Sequence, residues 1–405
     1  MNILYIHQYF KTPSEPGGTR SYWIAQELIM RGHHVTMISG TNNALHKDAS
    51  EEIVDGVRVI YIKNEYSNYM GAGARIKSFM RFMLKAMKVG MKQKDVDVVF
   101  ATSTPLTVGA IAIWLKWTKG WKYVFEVRDL WPEGLIQEGI TNPFVVWALR
   151  LLERWSYEKA EHVISLSPGM EDGVLKVGTP KEKSTMVPNM SKPDKFYPHE
   201  PNQEIIKQFG INMDKFNLIH FGAMGFDNYL EYIIEAARLA QEQGCEDLNF
   251  IFLGDGSTKP AMEELARKYN LKNVQFLGNH KMDVVSEIVN CCSASITSFQ
   301  NIPILATNSP NKLFDSLSAG KPIIVNSAGW TKDLVENENC GFYVHADNPQ
   351  QLVDKLNEVK NNKELLACWG NNARNLSLTT FDKNILSAKV ADVLEKAANN
   401  AKIKK

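Results

Sequence analysis

Two apolar stretches, Val96-Asp97-Val98-Val99-Phe100 and Val163-Ile164-Ser165-Leu166, decide the fold class of this chain. Each is a short run of mainly β-branched and aromatic residues with little polar alternation, which is typical of a strand covered on both faces. Strands of that kind belong to parallel sheets that have helices on either side. The two stretches therefore predict an α/β protein.

The same pattern recurs outward in both directions, as an apolar run followed by a turn and a segment with helical periodicity. In the first half it predicts strands over Ile3–Tyr9, Val35–Ser39, Val57–Ile62, Val96–Ala101, Tyr123–Val127 and His162–Leu166. In the second half it predicts strands over Leu218–Phe221, Phe250–Leu253, Val274–Leu277, Ala294–Thr297, Ile323–Val325 and Phe342–Val344. Between the two arrays, a proline-rich segment over residues 187–201 predicts a linker.

Two such arrays predict two doubly wound, Rossmann-like domains that face each other across a cleft. We place the first domain at residues 1–190 and the second at residues 198–379. A C-terminal helix over residues 380–405 is expected to pack back on the first domain. Ligands of such sheets bind at the carboxyl ends of the strands, so the cleft is the expected site.

Composition excludes several classes of protein. The 405 residues include 46 Lys and Arg against 45 Asp and Glu, a net charge of +1, which argues against a nucleic-acid-binding protein. The five cysteines form no CxxC pair, so neither a disulfide framework nor a structural zinc site is expected. The chain opens without a positively charged leader, and Pro105 and its polar neighbours interrupt the uncharged stretch over residues 98–115. These features predict a cytoplasmic protein.

The loop after the first strand contains Gly17-Gly18-Thr19-Arg20 and leads into a helix. Glycines let the backbone approach a ligand, and a helix N-terminus favours an anion. The loop is therefore a candidate phosphate site. The alternative is that the two glycines only form a tight turn.

A second candidate anion site is Ser309-Pro310-Asn311-Lys312, which starts a short helix that also carries Asp315. Ser309 suits an N-cap and Pro310 a first turn, so that the free N–H groups and the Lys312 ammonium would suit a diphosphate. Asp315, one turn further on, would accept hydrogen bonds from ribose hydroxyls. The alternative is a well-capped helix with a surface lysine.

Two loops in the second half end predicted strands, at Gly254-Asp255-Gly256 and at Gly278-Asn279-His280. A nucleotide would lie at such strand ends. A single GxG sequence is weak evidence, since most such turns are only turns.

The block Glu126-Val127-Arg128-Asp129-Leu130-Trp131-Pro132-Glu133 places an arginine between acids at the end of a strand. Charge at that position is costly to bury unless it is paired, so a catalytic role for Arg128 and Asp129 is plausible. The alternative is an ion pair that fixes the loop. By contrast, Asp95-Val96-Asp97 resembles a DxD metal motif but precedes its strand, so we expect no metal site there.

The segment Arg75–Lys94 is basic, with seven Lys and Arg residues and no acid. One helical stripe carries five of them: Lys77, Arg81, Lys85, Lys88 and Lys92. The opposite face is formed by Ile76, Phe79, Met80, Met83, Met87 and Met91. A basic amphipathic helix suits an anionic membrane surface. An ordinary helix docked on the sheet with its basic side in solvent fits the pattern equally well.

Taken together, the Gly17-Gly18 loop, the Glu126–Glu133 block, Val187-Pro188-Asn189, and Pro310–Asp315 ahead of Ala319-Gly320-Lys321-Pro322 resemble family 4 glycosyltransferases of the GT-B fold. The resemblance spans almost the whole chain. It is strongest to the bacterial subgroup of amino-deoxysugar (N-acetylfucosamine-type) transferases of O-antigen and capsule biosynthesis. The motifs together are specific for the fold and the reaction class, and not for the sugar.

The resemblance implies a retaining hexosyltransferase. It would move an N-acetylated amino or deoxyamino sugar from a UDP-sugar to a lipid-diphosphate-linked or saccharide acceptor, without a metal or other cofactor. The catalytic residues would be Asp129, Arg128 and Lys312. The donor would be bound by Gly17, Gly18, Arg20, Gly222, Met224, Gly254, Asp255, His280, Ser309, Asn311, Lys312 and Asp315. A lipid-linked acceptor implies peripheral binding to the inner face of the cytoplasmic membrane, through Arg75–Lys94.

Three departures from the family pattern matter. Arg128-Asp129 stands where many members have His-Asp, so a histidine role there does not carry over. Thr307 and Asp315 stand where many members have two glutamates, so only the second keeps a carboxylate. The Arg and Lys that often follow the first strand of the second domain are missing from Phe221–Asn228, which leaves more of the phosphate charge to Lys312.

Two other functions remain open from the residues alone. A sugar-nucleotide epimerase of the UDP-N-acetylglucosamine 2-epimerase type would use the same phosphate loops but needs acid and base groups at the sugar. A bilobed binding protein without chemistry would also fit the architecture, although the absence of an export signal argues against it.

Overall fold

A computed structural model describes residues 1–15, 17–43, 46–67, 70–137 and 141–399. The described chain divides into two compact units. The first unit comprises Met1–Thr12, Gly18–Pro188 and the chain from Asn384 onward, and the second comprises Pro13–Gly17 and Asn189–Lys383. Each unit contains one sheet.

The sheet of the first unit has eight strands, in the order β3-β4-β2-β1-β5-β6-β7-β8. All neighbouring strands are parallel except β3 and β4, which pair antiparallel. The strands are β1 Asn2–Ile6, β2 His34–Thr41, β3 Ser50–Val54, β4 Val57–Lys63, β5 Val98–Thr102, β6 Tyr123–Val127, β7 His162–Ser165 and β8 Ser184–Met186. The central strands β5 and β6 are buried along their whole length, as their apolar sequences predict.

Helices connect these parallel strands. They are α1 Arg20–Met30, α2 Ala72–Lys92, α3 Thr107–Lys119, α4 Glu133–Gln137, α5 Pro143–Glu158 and α6 Pro168–Lys176. Helices α2, α3 and α5 pack side by side, and their inner residues join one core with the strands, among them Phe82, Ile111 and Tyr157. The last helix is α15 Lys383–Asn399. A salt bridge between Asp392 of this helix and Arg31 joins it to the end of α1.

The sheet of the second unit has six parallel strands, in the order β11-β10-β9-β12-β13-β14. The strands are β9 Phe216–Ala223, β10 Leu248–Asp255, β11 Val274–Gly278, β12 Ala294–Thr297, β13 Ile323–Val325 and β14 Gly341–Tyr343. The order reverses between β9 and β12, which makes their carboxyl ends the switch point where ligands of such sheets bind.

Helices cover this second sheet. They are α7 Gln203–Phe209, α8 Leu230–Glu242, α9 Lys259–Lys268, α10 Met282–Asn290, α11 Asn311–Ser318, α12 Trp330–Asn337, α13 Pro349–Val359 and α14 Lys363–Thr379. One apolar core, with Leu230, Phe250 and Leu352, lies under α8 and α13. A second core, with Phe221, Ile251 and Ile288, includes the face of α10.

The proline-rich segment is packed, not extended through solvent. Asn189, Ser191 and Lys192 are buried, and each bonds to α11 or to the loop before it. The backbone of Ser191 also bonds to Phe381 and Lys383, which joins the start and the end of the second unit. This segment therefore holds the position of α11.

All twelve predicted strands are present, with boundaries that differ by up to three residues. Strands β3 and β8 were not predicted. Strand β3 has three exposed residues, Glu51, Glu52 and Ile53, so its sequence lacks the apolar run of a buried strand. Within the described residues, no helix combines the length and the apolar character needed to cross a membrane.

Candidate active site

In the first unit, three charged or polar side chains that follow the carboxyl ends of strands lie near one another. Arg128 and Asp129 follow β6, and His7 follows β1. The Arg128 backbone N–H donates to Ser103 Oγ at the end of β5, which fixes the turn that carries both predicted catalytic residues. The parallel arrangement of β1, β5 and β6 thus places all three residues at one edge of the sheet.

His7 was not predicted as a site residue. Its Nδ1 lies 2.8 Å from Ser21 Oγ, and its Nε2 lies 3.3 Å from an Arg128 guanidinium nitrogen. Because a guanidinium only donates hydrogen bonds, Nε2 is the acceptor and Nδ1 carries the proton. Burial, and then the charge of Arg128, lower the pKa of His7 well below its usual range. A neutral imidazole therefore holds Arg128.

Asp129 is exposed, and one of its carboxylate oxygens accepts a hydrogen bond from Thr104 Oγ1 at 2.6 Å. Thr104 has a φ of 92°, a conformation that a β-branched residue rarely adopts. This backbone strain directs the Thr104 hydroxyl to the carboxylate. Asp129 is the carboxylate of this edge that remains open to solvent.

The glycine loop before α1 has the backbone expected of a close approach. Gly17 is exposed and has a φ of 131°, in the region that favours glycine. No side chain of the described residues caps the start of α1, at Thr19. The first N–H groups of the helix are therefore not taken up by a cap, as an anion site requires.

Arg20, predicted to bind the donor, is almost completely buried. Its Nε lies 2.9 Å from Glu126 Oε1, and its terminal nitrogens donate to the carbonyls of Val187 and Pro188. Glu126 also accepts from Thr102. Arg20 thus connects α1, the end of β6 and the end of the first unit, and direct contact with a donor stays a prediction.

In the second unit, the Lys312 ammonium is buried between neutral groups. Its Nζ donates to Asn228 Oδ1 at 2.7 Å and lies 3.2 Å from His220 Nε2. Burial lowers the pKa of Lys312 to about 7. No carboxylate of the described residues forms a salt bridge with it, which is unusual for a buried cation. The surface lysine of the alternative interpretation is thereby contradicted.

His220, in β9, is buried but only partly hydrogen-bonded. Its Nε2 faces Lys312 and the Ala223 carbonyl, while Nδ1 is buried with no hydrogen-bond partner among the described residues. Burial, and then Lys312, lower the pKa of His220 well below its usual range. The imidazole is therefore neutral and adds no compensating negative charge.

Helix α11 begins one residue later than Ser309-Pro310 predicts. Pro310 occupies the N-cap position, and no described side chain caps the helix. Ser309 Oγ instead accepts a hydrogen bond from the Asn189 backbone N–H, at 3.0 Å. The expected N-cap role of Ser309 is thus wrong, because Asn189 competes for the hydroxyl. The N–H groups of Asn311 and Lys312 are left uncapped.

Asp315 pairs with Lys192. The Lys192 Nζ lies 2.6 Å from Asp315 Oδ1, and both side chains are largely buried. Burial raises the pKa of Asp315, and Lys192 opposes that rise. Asp315 lies in the same helix as Lys312, one turn away, so the site contains one lysine with a counter-charge and one without.

The glycines at the ends of β9 and β10 are required by close backbone packing. A β-carbon on Gly254 would lie 1.9 Å from the Gly222 oxygen, and one on Gly256 would lie 2.4 Å from the Met224 oxygen. The Met224 N–H donates to the Asp255 carbonyl. Gly222 also lies against Lys312, whose Cε is 3.8 Å from the position of a Gly222 β-carbon. Four predicted donor residues, Gly222, Met224, Gly254 and Asp255, therefore form one layer.

His280 lies beyond the end of β11. Its Nε2 is 2.7 Å from the Leu277 carbonyl, and its ring meets Phe209 edge to face. The ring thus packs locally on α7. No hydrogen bond or salt bridge among the described residues joins His280 to Lys312 or Asp315.

Asp95 and Asp97 lie at the amino end of the first sheet. Asp97 Oδ2 accepts from the Asn2 backbone N–H, and the Asp95 carbonyl accepts from the Asn2 amide. These bonds fix the entry of β1 and β5, on the edge opposite to Arg128. The expectation that they serve as a strand entry matches their contacts.

Helix α2 is docked on the sheet through a face different from the predicted one. Phe82, Ala86 and Val89 are buried in the core, Met83, Met87 and Met91 lie at its rim, and Ile76 and Met80 are exposed. The close approach of a helix to a sheet requires a small residue such as Ala86, whereas flexible methionines reach in from the side. Apolar residues thus remain on the outer surface of α2.

Comparison with known protein families covers most of the chain. Residues 17–190 match the glycosyl transferase 4-like domain, and residues 201–376 match the glycosyl transferases group 1 domain. Together these two matches include Arg128, Asp129, Lys312 and Asp315.

Curated relatives are distant. An uncharacterized glycosyltransferase of Methanocaldococcus jannaschii, MJ1178, is 28% identical over 131 residues, which are 32% of this chain and 36% of that protein. The chain thus spans about a third of the length of that relative. A putative colanic acid biosynthesis glycosyl transferase of Escherichia coli, WcaI, is 23% identical over 285 residues and 68% of each chain.

A solved structure shares the fold. HepE of Anabaena, determined in complex with UDP-glucose, superposes with a TM-score of 0.72 at 16% identity, covering 98% of this chain and 100% of that one. The likeness shows the GT-B fold, in agreement with the two parallel sheets described above. With both halves of the chain matched in order, the protein belongs to the family 4 glycosyltransferases of the GT-B fold.

Proposed function

We propose that this glycosyltransferase transfers a sugar from a UDP-sugar to a lipid-diphosphate-linked or saccharide acceptor, with retention of configuration and without metal. The observation that carries the proposal is the buried Lys312 ammonium, whose hydrogen-bond partners among the described residues are the neutral Asn228 and His220. A buried cation without a counter-charge suits an anionic ligand, because the ligand supplies the missing charge. The uncapped start of α11 adds N–H groups at the same place.

The leaving diphosphate is the ligand that these groups serve. Breaking the bond between sugar and phosphate concentrates negative charge on the departing oxygen. A cation or N–H group accelerates this step only if it stabilises the transition state more than it stabilises the bound UDP-sugar. Lys312 and the N–H groups of Asn311 and Lys312 fulfil that condition when they are directed to the phosphate oxygens. Metal is not required for this role.

The other donor contacts follow from the same layer. We assign the ribose hydroxyls to Asp315, whose Oδ1 is held by Lys192 and whose Oδ2 would accept. The backbone of Gly222, Met224, Gly254 and Asp255 lines the adjacent strand ends, and Gly17 and Gly18 offer a loop that a phosphate can approach. Arg20 would support that loop through Glu126, and His280 would border the base.

The acceptor side is assigned to Arg128 and Asp129. The described residues offer no evident second carboxylate as a nucleophile, so we favour attack on the same face of the sugar from which the diphosphate departs. The leaving phosphate then takes the proton of the acceptor hydroxyl, which conserves the proton count without a general base. Asp129 would orient the acceptor hydroxyl, and Arg128 would stabilise charge on the phosphate.

The acceptor class rests on chemistry and on relatives. The name of WcaI describes a putative glycosyl transferase of colanic acid biosynthesis. We propose a similar pathway class here, with an N-acetylated amino or deoxyamino sugar, an O-antigen or capsule product and a lipid-linked acceptor. Such an acceptor would be reached at the inner face of the cytoplasmic membrane, to which the basic segment Arg75–Lys94 would bind.

The decisive experiment is a panel of UDP-sugars tested for binding and for transfer to a lipid-diphosphate-linked acceptor, with the anomeric product analysed by NMR. Retained configuration and dependence on acceptor support the proposal. Conversion of the donor in the absence of acceptor would instead indicate epimerisation, and an inverted product would exclude the mechanism.

A further inference from the structure

Exposed tryptophans are concentrated on two helices of the first unit. The chain has nine tryptophans, and four of them are exposed: Trp114 and Trp117 on α3, and Trp147 and Trp155 on α5. Phe144, at the start of α5, is 80% exposed. Large exposed aromatic patches on a folded protein mark binding surfaces. Nothing in the proposed transfer reaction uses these residues.

The exposed aromatic residues form a continuous surface. Phe144, Trp147 and Trp155 lie on one outer stripe of α5, because they are separated by three and eight residues. The Trp155 ring meets the Trp117 ring of α3 at 6.1 Å, nearly edge to face. We call this set, Trp114, Trp117, Phe144, Trp147 and Trp155, the aromatic face.

Helix α2 extends the aromatic face on the other side of α3. Thr118 of α3 contacts the Met91 sulfur of α2 at 3.1 Å, and Trp114 lies one turn before Thr118 on the same side of α3. On α2, Ile76, Met80 and Leu84 are exposed at intervals of four residues. They therefore line the same flank of α2 as Met91.

Basic residues outnumber acids around the aromatic face. Helices α2, α3 and α5 together carry ten Lys and Arg residues and two acids, of which Glu153 is buried. Four of the ten basic residues form salt bridges: Arg154 with Glu158 of α5, and Lys85, Lys116 and Arg150 with Asp48, Glu161 and Glu133 outside the three helices. The net charge of the three helices is thus strongly positive, although the whole chain carries only +1.

We propose that the aromatic face docks the enzyme on an anionic lipid bilayer, with its rings inserted at the level of the headgroups. Tryptophan favours that level because its ring is apolar and its N–H remains hydrated. The surrounding Lys and Arg residues bind anionic headgroups. The proposal rests on the proposed function, because it assumes a lipid-linked acceptor. It goes further by placing the apolar anchor on α3 and α5, outside the basic segment Arg75–Lys94.

Charge decides between a bilayer and a second copy of the chain as the occupant. Two copies joined through this face would bring together two surfaces of net positive charge, and like charges at an interface oppose association. An anionic leaflet has the opposite charge and an apolar interior for the rings. The surface therefore fits a membrane.

The test uses the full chain and vesicles of phosphatidylcholine with or without phosphatidylglycerol, some with brominated acyl chains. We expect binding to anionic vesicles, with tryptophan fluorescence quenched by the bromines. The variant Trp117→Ser/Phe144→Ser/Trp147→Ser should bind these vesicles at least about tenfold more weakly than the wild type. The matched control, Met30→Ser/Ile53→Ser, removes two exposed apolar residues from other surfaces and should bind as the wild type does.

Donor binding separates this proposal from the proposed function. UDP affinity should be equal in the wild type and in both variants, because none of the changed residues is assigned to donor binding. Equal vesicle binding by the aromatic variant and the wild type, or no bromine quenching, would overturn the docking proposal and leave transfer intact. A lipid-free dimer that the triple variant abolishes would assign the face to a second copy and overturn it as well.

Discussion

Lys192 and Asp315 form a buried ion pair, with Lys192 Nζ 2.6 Å from Asp315 Oδ1. The lysine comes from the segment that opens the second unit, and the aspartate comes from α11. The pair therefore fixes the helix that carries Lys312 to the chain that precedes the sheet. Lys192 also favours the ionised form of Asp315, which the ribose role requires, because it opposes the rise in pKa that burial causes.

Removing one partner of this pair should be costly. Lys192→Met leaves the Asp315 carboxylate buried without its counter-charge, so we expect a loss of about 3 kcal/mol in the free energy of unfolding. The double variant Lys192→Met/Asp315→Leu removes both charges and should recover much of that loss. Urea denaturation checks both. A single variant as stable as the wild type would show that the pair contributes nothing to the position of α11.

Replacing Lys312 should separate activity from stability. Lys312→Met should lower turnover by roughly two to four orders of magnitude, as expected for the loss of one group that stabilises transition-state charge. The same variant should be more stable than the wild type at pH 6, because it no longer buries an uncompensated ammonium. Transfer assays and thermal unfolding measure the two effects. Near-normal turnover would remove Lys312 from the mechanism.

The stability gain of Lys312→Met should depend on pH. The pKa of Lys312 is about 7 in the folded chain and that of an ordinary lysine near 10.5 in the unfolded chain. Between these values the unfolded state binds more protons, so the wild type gains stability as pH rises from 7 toward 10. The variant lacks this titrating group, so the difference in free energy of unfolding between the variant and the wild type should narrow over that range. A constant difference in melting temperature would contradict the lowered pKa.

Binding of UDP should weaken above neutral pH for the same reason. The anion needs the ammonium form, and above pH 7 that form must first be regained, at a cost approaching about tenfold in affinity per pH unit. Lys312→Arg is the matched control, because a guanidinium does not titrate in this range. Isothermal calorimetry in buffers of different ionisation enthalpy should detect proton uptake by the wild type alone at pH 8. Absence of uptake would place the charge elsewhere.

His7 offers a test of the acceptor side. His7→Phe keeps a ring in the core but removes the acceptor that holds Arg128 and the donor to Ser21. We expect kcat to fall by up to about 100-fold through misplacement of Arg128. His7→Gln places an amide near the Nε2 position and should restore part of the rate. UDP affinity should fall less than kcat does in either variant, because Arg128 is proposed to act on the charge that develops on the departing phosphate. A loss of UDP affinity equal to the loss of kcat would exclude that role.

The sequence predicts the strands of this fold well, because buried parallel strands require apolar runs, and such runs can be recognised from the local sequence alone. It predicts Lys312 and Asp315 for a similar reason, since both lie in a short segment with helix-start signals. It does not predict Lys192, Asn228 or His7 as partners. Their contacts join residues far apart in the chain, and no local pattern encodes such pairs.

Helix α2 shows where periodicity misleads. Its methionines define the most apolar face, yet the sheet is contacted mainly by Phe82, Ala86 and Val89. Lys85 was expected on the solvent stripe, but its Nζ lies 2.9 Å from Asp48 and 3.1 Å from the Lys63 carbonyl. The local sequence pattern predicts that an amphipathic helix is present, whereas packing against the neighbouring strands determines which of its faces contacts the sheet.

That rotation sharpens the prediction for membrane binding through the basic segment. Lys77, Arg81 and Lys88 are exposed, whereas Lys85 is engaged by Asp48. Each exposed basic residue near an anionic surface contributes about 1 kcal/mol, and the contribution falls with salt because the Debye length is about 8 Å at physiological ionic strength. Lys77→Glu/Arg81→Glu/Lys88→Glu should therefore weaken binding to anionic vesicles strongly at low salt and flatten its salt dependence. Lys85→Gln, the matched control, should bind nearly as the wild type does. Sedimentation of each protein with vesicles across a salt series measures both effects, and a triple variant that sediments like the wild type at every salt concentration would show that α2 only packs on the sheet.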